Sequence, residues 1–199
     1  FLFKNVSGEV RVNNNIIKNV WLQKYRNTGT VQKPIYDDNG DGIKFAGIDG
    51  GVSNYNYIVN DVSVTKQYGR VALATSCEWD KNTKASYNYL KGYDRNIHFE
   101  NDHGGHIITN NRLVGTETGI VVDSKIYGAM LNTLNCPVAN PSLISNNYIS
   151  NEEIPDTTVA PELRKLYPPH LLFTSGGFGT RQHDGTEIRE NYFLLDKKI

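Results

Sequence analysis

A six-residue phrase recurs along this chain: an apolar or small residue, Asn three positions later, and an apolar residue two positions after the Asn. Five copies occur, at residues 12–17, 53–58, 108–113, 144–149 and 188–193, and their Asn residues are Asn15, Asn56, Asn111, Asn147 and Asn191. Short segments with alternating apolar residues lie between the copies, at 42–45, 70–73, 119–122 and 170–173. Alternation predicts a half-buried strand, and Asn favours a tight corner because it tolerates the left-handed backbone region. The pattern predicts a parallel sheet wound into a β-solenoid, with the Asn residues at equivalent corners.

The intervals between these segments predict the length of one coil. The shortest step from a corner Asn to the next alternating segment is 9 residues, and the shortest step onward to a corner is 13. A bare coil therefore takes about 22 residues, a length typical of solenoid repeats. Longer intervals predict loop insertions near residues 25–41, 76–96, 127–142 and 151–169, and such loops often carry binding and catalytic groups. Residues 1–199 are thus predicted to form one all-β domain of about four to five coils.

The composition of the chain limits the kinds of partner that it is expected to bind. The 21 basic and 21 acidic residues balance, which gives no reason to expect nucleic acid or an anionic membrane as a partner. No segment is apolar enough over sufficient length to span a bilayer. The two cysteines, Cys77 and Cys136, do not make a disulfide framework.

Both ends of the sequence carry solenoid-like segments. The chain opens on an apolar strand pattern and closes directly after the last Asn phrase. A solenoid that stops there would expose strand edges and an apolar cross-section, which repeat proteins normally cover. We therefore expect the chain to be a fragment of a longer protein, or to be capped by other chains.

Residues 110–124 (NNRLVGTETGIVVDS) resemble a rung of the right-handed parallel β-helix proteins, the pectate-lyase-like superfamily. The resemblance extends through the repeat over residues 5–193. That superfamily includes polysaccharide lyases, glycoside hydrolases and bacteriophage tailspike depolymerases, and the neutral charge, the many Asn and Tyr residues and the long insertions are most similar to a tailspike. The resemblance implies a right-handed β-helix that binds and cleaves a bacterial surface polysaccharide, works as a homotrimer and is found outside the cell or on a virion. The resemblance does not identify any catalytic residue of this chain by its position.

Two functions other than polysaccharide cleavage are also consistent with the sequence. One is a module that binds a glycan without cleaving it. The other is a purely structural segment of a phage fibre or adhesin. Because one fold supports many functions, the site has to be argued from side chains.

The segment at residues 97–106 holds the densest group of ionisable residues. Alternation points Ile97 and Phe99 inward and leaves Glu100 on the outer face of the strand. Glu100 and Asp102 would then lie about 6.5 to 7 Å apart along the strand, near the spacing of inverting glycosidases. Glu100 and a carboxylate on a neighbouring coil would lie about 5 Å apart, nearer the retaining geometry.

Four further residues are candidates for catalysis. His103 and His106 suit a lyase, because a neutral imidazole can remove the C5 proton of a uronate. The alternative for these two histidines is a solvated turn between strands. Glu117 lies in a tight turn at residues 115–119 that no insertion covers, and Asp123 lies on the outer face of its strand, so both are added as candidate acids.

A column of residues directly follows the corner Asn residues and is predicted to face outward. It contains Tyr57, Arg112, Tyr148 and Tyr192, with Ile16 at one end. Tyr suits both sugar rings and subunit interfaces, and a guanidinium can hold the carboxylate of an acidic sugar. The column is a candidate substrate-binding surface, and the alternatives are a subunit interface or a surface covered by loops.

The residues Asp37, Asn39 and Asp41 alternate and are followed by Gly42, as in the opening half of a calcium loop. Ile48 stands at the twelfth position, where such a loop needs a bidentate Glu. The same residue types also make ordinary turns. A turn and a calcium site are therefore alternatives here, and no other cofactor is indicated.

Overall fold

The computed structural model describes residues 1–20, 23–27, 36–65, 69–75, 80–100, 103–115, 118–124, 140–150, 171–175 and 185–194. Over these residues the chain is a parallel β-helix, as predicted. It winds through six coils, and each coil contributes one strand to each of three parallel sheets, named A, B and C.

The strands follow one another in the order A, B, C along each coil. Sheet A contains β1 (Leu2–Lys4), β6 (Asp41–Ala46), β9 (Gly69–Thr75), β12 (Tyr93–Glu100), β15 (Thr118–Ser124) and β18 (Leu171–Ser175). Sheet B contains β2 (Arg11–Asn13), β7 (Val52–Asn54), β10 (Lys84–Ser86), β13 (Ile107–Thr109), β16 (Leu143–Ser145) and β19 (Glu187–Arg189). Sheet C contains β3 (Ile16–Lys18), β8 (Tyr57–Val59), β11 (Tyr89–Lys91), β14 (Arg112–Val114), β17 (Tyr148–Ser150) and β20 (Tyr192–Leu194).

Three elements lie outside the stack. Strands β4 (Gln23–Asn27) and β5 (Tyr36–Asn39) pair antiparallel with each other within the region predicted as the first insertion. The helix α1 (Val62–Thr65) has four residues, and in the described part of the chain no helix is long and apolar enough to cross a membrane. Of the predicted insertions at 127–142 and 151–169, only residues 140–142 are among those described.

The core is built from columns of inward residues that stack from coil to coil. In sheet C the column is Ile17, Ile58, Leu90, Leu113, Ile149 and Phe193. In sheet B the column is Val12, Ser53, Ala85, Ile108, Ile144 and Ile188. Each aliphatic side chain that is fully buried in this way contributes about 1.5–3 kcal/mol through the removal of apolar surface from water.

The repeat has a sixth copy that its sequence pattern does not reveal. Residues 85–90 form the corner of the third coil around Asn88, which lies 32 residues after Asn56 and 23 before Asn111. The insertion predicted at 76–96 is therefore wrong for residues 84–96, which belong to β10, β11 and β12. Ala85 concealed this copy, because it stands where most copies have a larger apolar residue. The bare coil is 23 residues long, close to the predicted length, and there are six coils rather than four to five.

The corner geometry also differs from the prediction in one respect. The left-handed residue is the one before each corner Asn, not the Asn itself. These preceding residues are Asn14, Tyr55, Tyr87, Asn110, Asn146 and Glu190, and their φ angles lie between 55° and 59°. The corner Asn residues instead turn their side chains inward, where those on the second to fifth coils are at most 2% exposed.

The corner Asn residues form a continuous hydrogen-bonded ladder, which confirms that they occupy equivalent corners on successive coils. In each step the side-chain amide donates to Oδ1 of the Asn on the next coil, at 2.9–3.1 Å. The same Oδ1 accepts the backbone N–H of the donor residue at 3.0 Å. The ladder therefore satisfies the buried amide groups at this corner and holds the six coils in one register.

Candidate functional site

Sheet A brings together two of the candidate acids. The register of β12 and β15 makes Glu100 and Asp123 direct partners on neighbouring strands. The residues before them, Phe99 and Val122, are also partners, and their side chains are buried in the core. Since neighbouring strands lie about 4.8 Å apart, the two acids occupy adjacent places on consecutive coils.

A histidine held by an arginine lies on the same strand as Glu100. Nδ1 of His98 is 3.1 Å from Nη1 of Arg95. Because a guanidinium only donates hydrogen bonds, Nδ1 of His98 is the acceptor in this pair. His98 is 5% exposed and its register partners Ala74 and Val121 are each 4% exposed, whereas Arg95 is exposed. The strand that carries Glu100 therefore also carries an accessible cation.

The two candidate histidines occupy different environments. His103 is half-buried, and its backbone N–H donates to the carbonyl of Asp80 at 2.7 Å. His106 is fully buried, and its ring centroid lies 4.6 Å from that of Phe99. Its Nδ1 accepts the backbone N–H of Thr83 at 3.2 Å. This position contradicts the expectation of an accessible catalytic base at His106, because an imidazole inside the helix does not reach a polymer outside it.

Two other candidate acids, Asp102 and Glu117, lie outside the described residues.

The predicted outward column on sheet C is confirmed, and it has one more member. Strand register aligns Ile16, Tyr57, Tyr89, Arg112, Tyr148 and Tyr192. Tyr89 was missed together with the Asn88 corner, although it stands directly after an Asn like the others. The register thus extends the candidate binding surface over all six coils.

The side chains of this column stack on one another. The rings of Tyr57 and Tyr89 are 5.0 Å apart and nearly parallel, at 9°. Those of Tyr148 and Tyr192 are 5.4 Å apart at 14°, and the guanidinium carbon of Arg112 lies 5.0 Å from the centre of the Tyr148 ring. Because the ring faces are turned towards their neighbours, the column presents ring edges and hydroxyl groups to an outside ligand.

The segment considered for calcium is mostly strand. Asp37 and Asn39 lie in β5, and Asp41 begins β6, so the predicted turn is not formed at these residues. The side chain of Asp41 is 8% exposed, and its carboxylate is 3.5 Å from the ammonium of Lys44 and 3.8 Å from the guanidinium of Arg70. These two cations already balance the Asp41 charge. Within the described residues, no group of three or more His, Cys, Asp or Glu side chains is arranged to hold a metal ion.

Comparison with known proteins identifies no relative of this chain. No protein-family model, curated protein or solved structure matches the chain. The fold and the side chains described above are therefore the basis for a proposed function.

Proposed function

We propose that this β-helix binds and cleaves a bacterial surface polysaccharide, with Glu100 and Asp123 as its pair of acids. The observation that carries the proposal is the register of β12 and β15, which makes the two acids neighbours on consecutive coils. The resemblance of residues 110–124 to a rung of the pectate-lyase-like superfamily supplies the substrate class. A tailspike-type depolymerase is the member of that superfamily that we propose.

The spacing of the two acids favours a retaining hydrolase. Alternation along a strand predicts that the residues after the inward Phe99 and Val122 face outward. Strands about 4.8 Å apart suit the separation of about 5–5.5 Å between the carboxyl groups of retaining glycosidases. One carboxyl protonates the leaving glycosidic oxygen while the other attacks the anomeric carbon. Water then hydrolyses the resulting ester, with the first group acting as base.

The lyase alternative has less support. It depended on accessible imidazoles at His103 and His106, and the second of these lies in the core. The exposed Arg95 on the same strand is compatible with either chemistry, since a cation on this face attracts an acidic sugar.

The test uses Glu100→Gln and Asp123→Asn, assayed for new reducing ends in capsular or lipopolysaccharide preparations. Each substitution should lower the rate by about 10²–10⁴-fold and leave the folding unchanged. Glu187→Gln is the matched control, because Glu187 is an exposed acid on sheet B. Full activity in both site variants would refute the assignment. Ultraviolet absorbance from an unsaturated uronate would identify a lyase instead of a hydrolase.

A second candidate function is glycan binding without cleavage. The observation in its favour is the Tyr and Arg column on sheet C, with its two groups of stacked side chains, which offers a binding surface independent of the acids. This function predicts retention of the polysaccharide with no new reducing ends, and weaker binding of acidic glycans after Arg112→Gln. Neither binding nor cleavage would favour the structural alternative, a segment of a fibre or adhesin.

The proposed class carries further expectations about assembly and location. A tailspike-type protein is a homotrimer and is located on a virion or outside the cell. Light scattering of the purified protein after size exclusion tests the trimer, and a monomer at working concentration would contradict it.

A further inference from the structure

Four tyrosines cluster at the corner between sheets B and C on the second and third coils. Tyr55 and Tyr57 lie on either side of one corner Asn, and Tyr87 and Tyr89 on either side of the next. The rings of Tyr55 and Tyr87 are 4.9 Å apart and parallel within 3°, and those of Tyr57 and Tyr89 are 5.0 Å apart at 9°. Tyr55 and Tyr87 are 57% and 52% exposed. Tyr57 is exposed and Tyr89 is half-buried. The two stacked pairs are together called the four-tyrosine patch.

Two members of the patch have an unfavourable backbone conformation. Tyr55 and Tyr87 have φ angles of 57° and 58°, in the left-handed region that a bulky side chain rarely adopts. The same position holds Asn14, Asn110 and Asn146 on three other coils, and Asn tolerates this region well. Tyr is therefore not needed to make the turn. Strain at an exposed aromatic residue is typical of a position retained for function rather than stability.

The two segments that form the patch are polar and uncharged, and Arg112 borders them on the next coil as the register partner of Tyr89. Residues 54–57 (NYNY) and 86–89 (SYNY) contain no charged side chain. Asn54 accepts the backbone N–H of Ser86 at 3.1 Å, and the Ser86 hydroxyl is 3.0 Å from that of Thr109, so a row of neutral hydrogen-bonding groups borders the rings. A surface of phenol hydroxyls, ring edges and amides suits an uncharged ligand that carries many hydroxyl groups.

We propose that the four-tyrosine patch binds an uncharged saccharide chain that lies along the helix axis. Each coil contributes one hydroxyl to each of the two tyrosine rows, and the rows repeat at the strand spacing of about 4.8 Å. One pyranose unit in an extended chain has a similar length, so successive sugars meet successive coils. The patch lies at the corner of sheets B and C, whereas Glu100 and Asp123 lie in sheet A. Binding at the patch therefore requires no cleavage at the acids. Because Tyr57 and Tyr89 also belong to the sheet C column, the proposal rests on the glycan-binding function proposed for that column.

The test is the double variant Tyr55→Asn with Tyr87→Asn in the whole chain. Binding is followed by affinity electrophoresis through gels that contain dextran, a galactan or a mannan. The parent protein should be retarded by at least one of these neutral polysaccharides, and the affinity of the double variant should fall about tenfold or more. Its melting temperature should equal or exceed that of the parent, because Asn already occupies this backbone position on other coils.

The control is Glu190→Asn, which changes the same turn position on the sixth coil, outside the patch, and should leave retardation unchanged. The proposal is overturned if none of the three polysaccharides retards the parent, or if the double variant binds as the parent does. It is also overturned if the double variant loses self-association in light scattering instead of glycan binding, which would identify a protein interface. Glu100→Gln should keep the retardation, so the two proposals can fail separately.

Discussion

The side-chain amide of Asn88 donates a hydrogen bond of 3.0 Å to Oδ1 of Asn111 on the next coil, and the backbone N–H of Asn88 donates to the same oxygen at 3.0 Å. The amide of Asn88 also donates to the carbonyl of Ser53 on the coil before, at 2.7 Å. One buried side chain thus joins three consecutive coils. Because these groups lie away from water, a slip in register would leave several of them unpaired, which is costly.

Replacement of a middle member of the ladder should destabilise the fold strongly. Asn111→Leu removes the oxygen that accepts two bonds from Asn88 and the amide that donates to Ala85 and Asn147. We expect a loss of about 3 kcal/mol in the free energy of unfolding, measured by urea denaturation. Asn15→Leu is the matched control at the end of the ladder. It should cost less than about 1 kcal/mol, since within the described chain no earlier coil donates to Asn15. Equal losses at both positions would contradict this account.

Gly92 should tolerate no side chain. Its φ is +77°, and a Cβ there would lie 2.0 Å from the carbonyl oxygen of Asn60. Gly92→Ala should therefore lower the free energy of unfolding by about 3–5 kcal/mol, through backbone strain and overlap together. Gly50 has a similar φ of +86° but open space around its Cβ, so Gly50→Ala should cost only about 1–2 kcal/mol. Thermal melts of the two variants compare them, and a smaller effect at Gly92 would be inconsistent with this packing.

His106 should stabilise the fold rather than take part in catalysis. His106→Ala leaves a void beside Phe99 and removes the acceptor of the Thr83 N–H, for an expected loss of about 2–4 kcal/mol. Any polysaccharide cleavage, measured per folded molecule, should be unchanged. His103→Ala should cost less, because His103 is only half-buried. A stable His106→Ala protein without activity would show that the imidazole takes part in catalysis.

Asp49 should make a contribution to the stability of the fold that is lost at acid pH. A hydrogen bond of 2.8 Å from Asn82 is the main reason that the pKa of Asp49 is below its ordinary value, and Lys81 at 3.1 Å adds to the effect. The folded state therefore binds the proton less tightly than the unfolded state. The contribution is complete above the unfolded pKa of about 4 and is lost as the pH falls through the lower folded value.

Asn82→Gly tests this relationship without backbone strain, because Asn82 has a φ of 56°. The variant should raise the pKa of Asp49 in an NMR titration of its carboxyl group. Lys81→Gln should raise it less, since the Lys81 interaction is the smaller cause. An unchanged Asp49 titration in Asn82→Gly would show that the hydrogen bond is not responsible.

The sequence was enough to identify many residues of the candidate site, but it did not predict how they are arranged relative to one another. Glu100 and Asp123 were each recognised as outward acids from local alternation. Their pairing depends on how β12 and β15 align across a turn and two short strands, and the single sequence contains no direct measure of that alignment. Likewise, His106 stands in a segment rich in charge and glycine, which favours a surface turn, but the fold places the imidazole against Phe99.

The sequence alone determined the class of fold and the equivalence of its corners. The alternation of apolar residues and the recurring Asn are local patterns, and each coil repeats the same local chemistry, so the repeat predicts the helix directly. Only the tertiary structure decided which residue of the corner adopts the left-handed conformation, that Asn88 completes a sixth coil, and that Glu100 is aligned with Asp123 on the neighbouring strand. These features depend on contacts between coils 23 or more residues apart, where the hydrogen bonds of the Asn ladder and the packing of the core select one register.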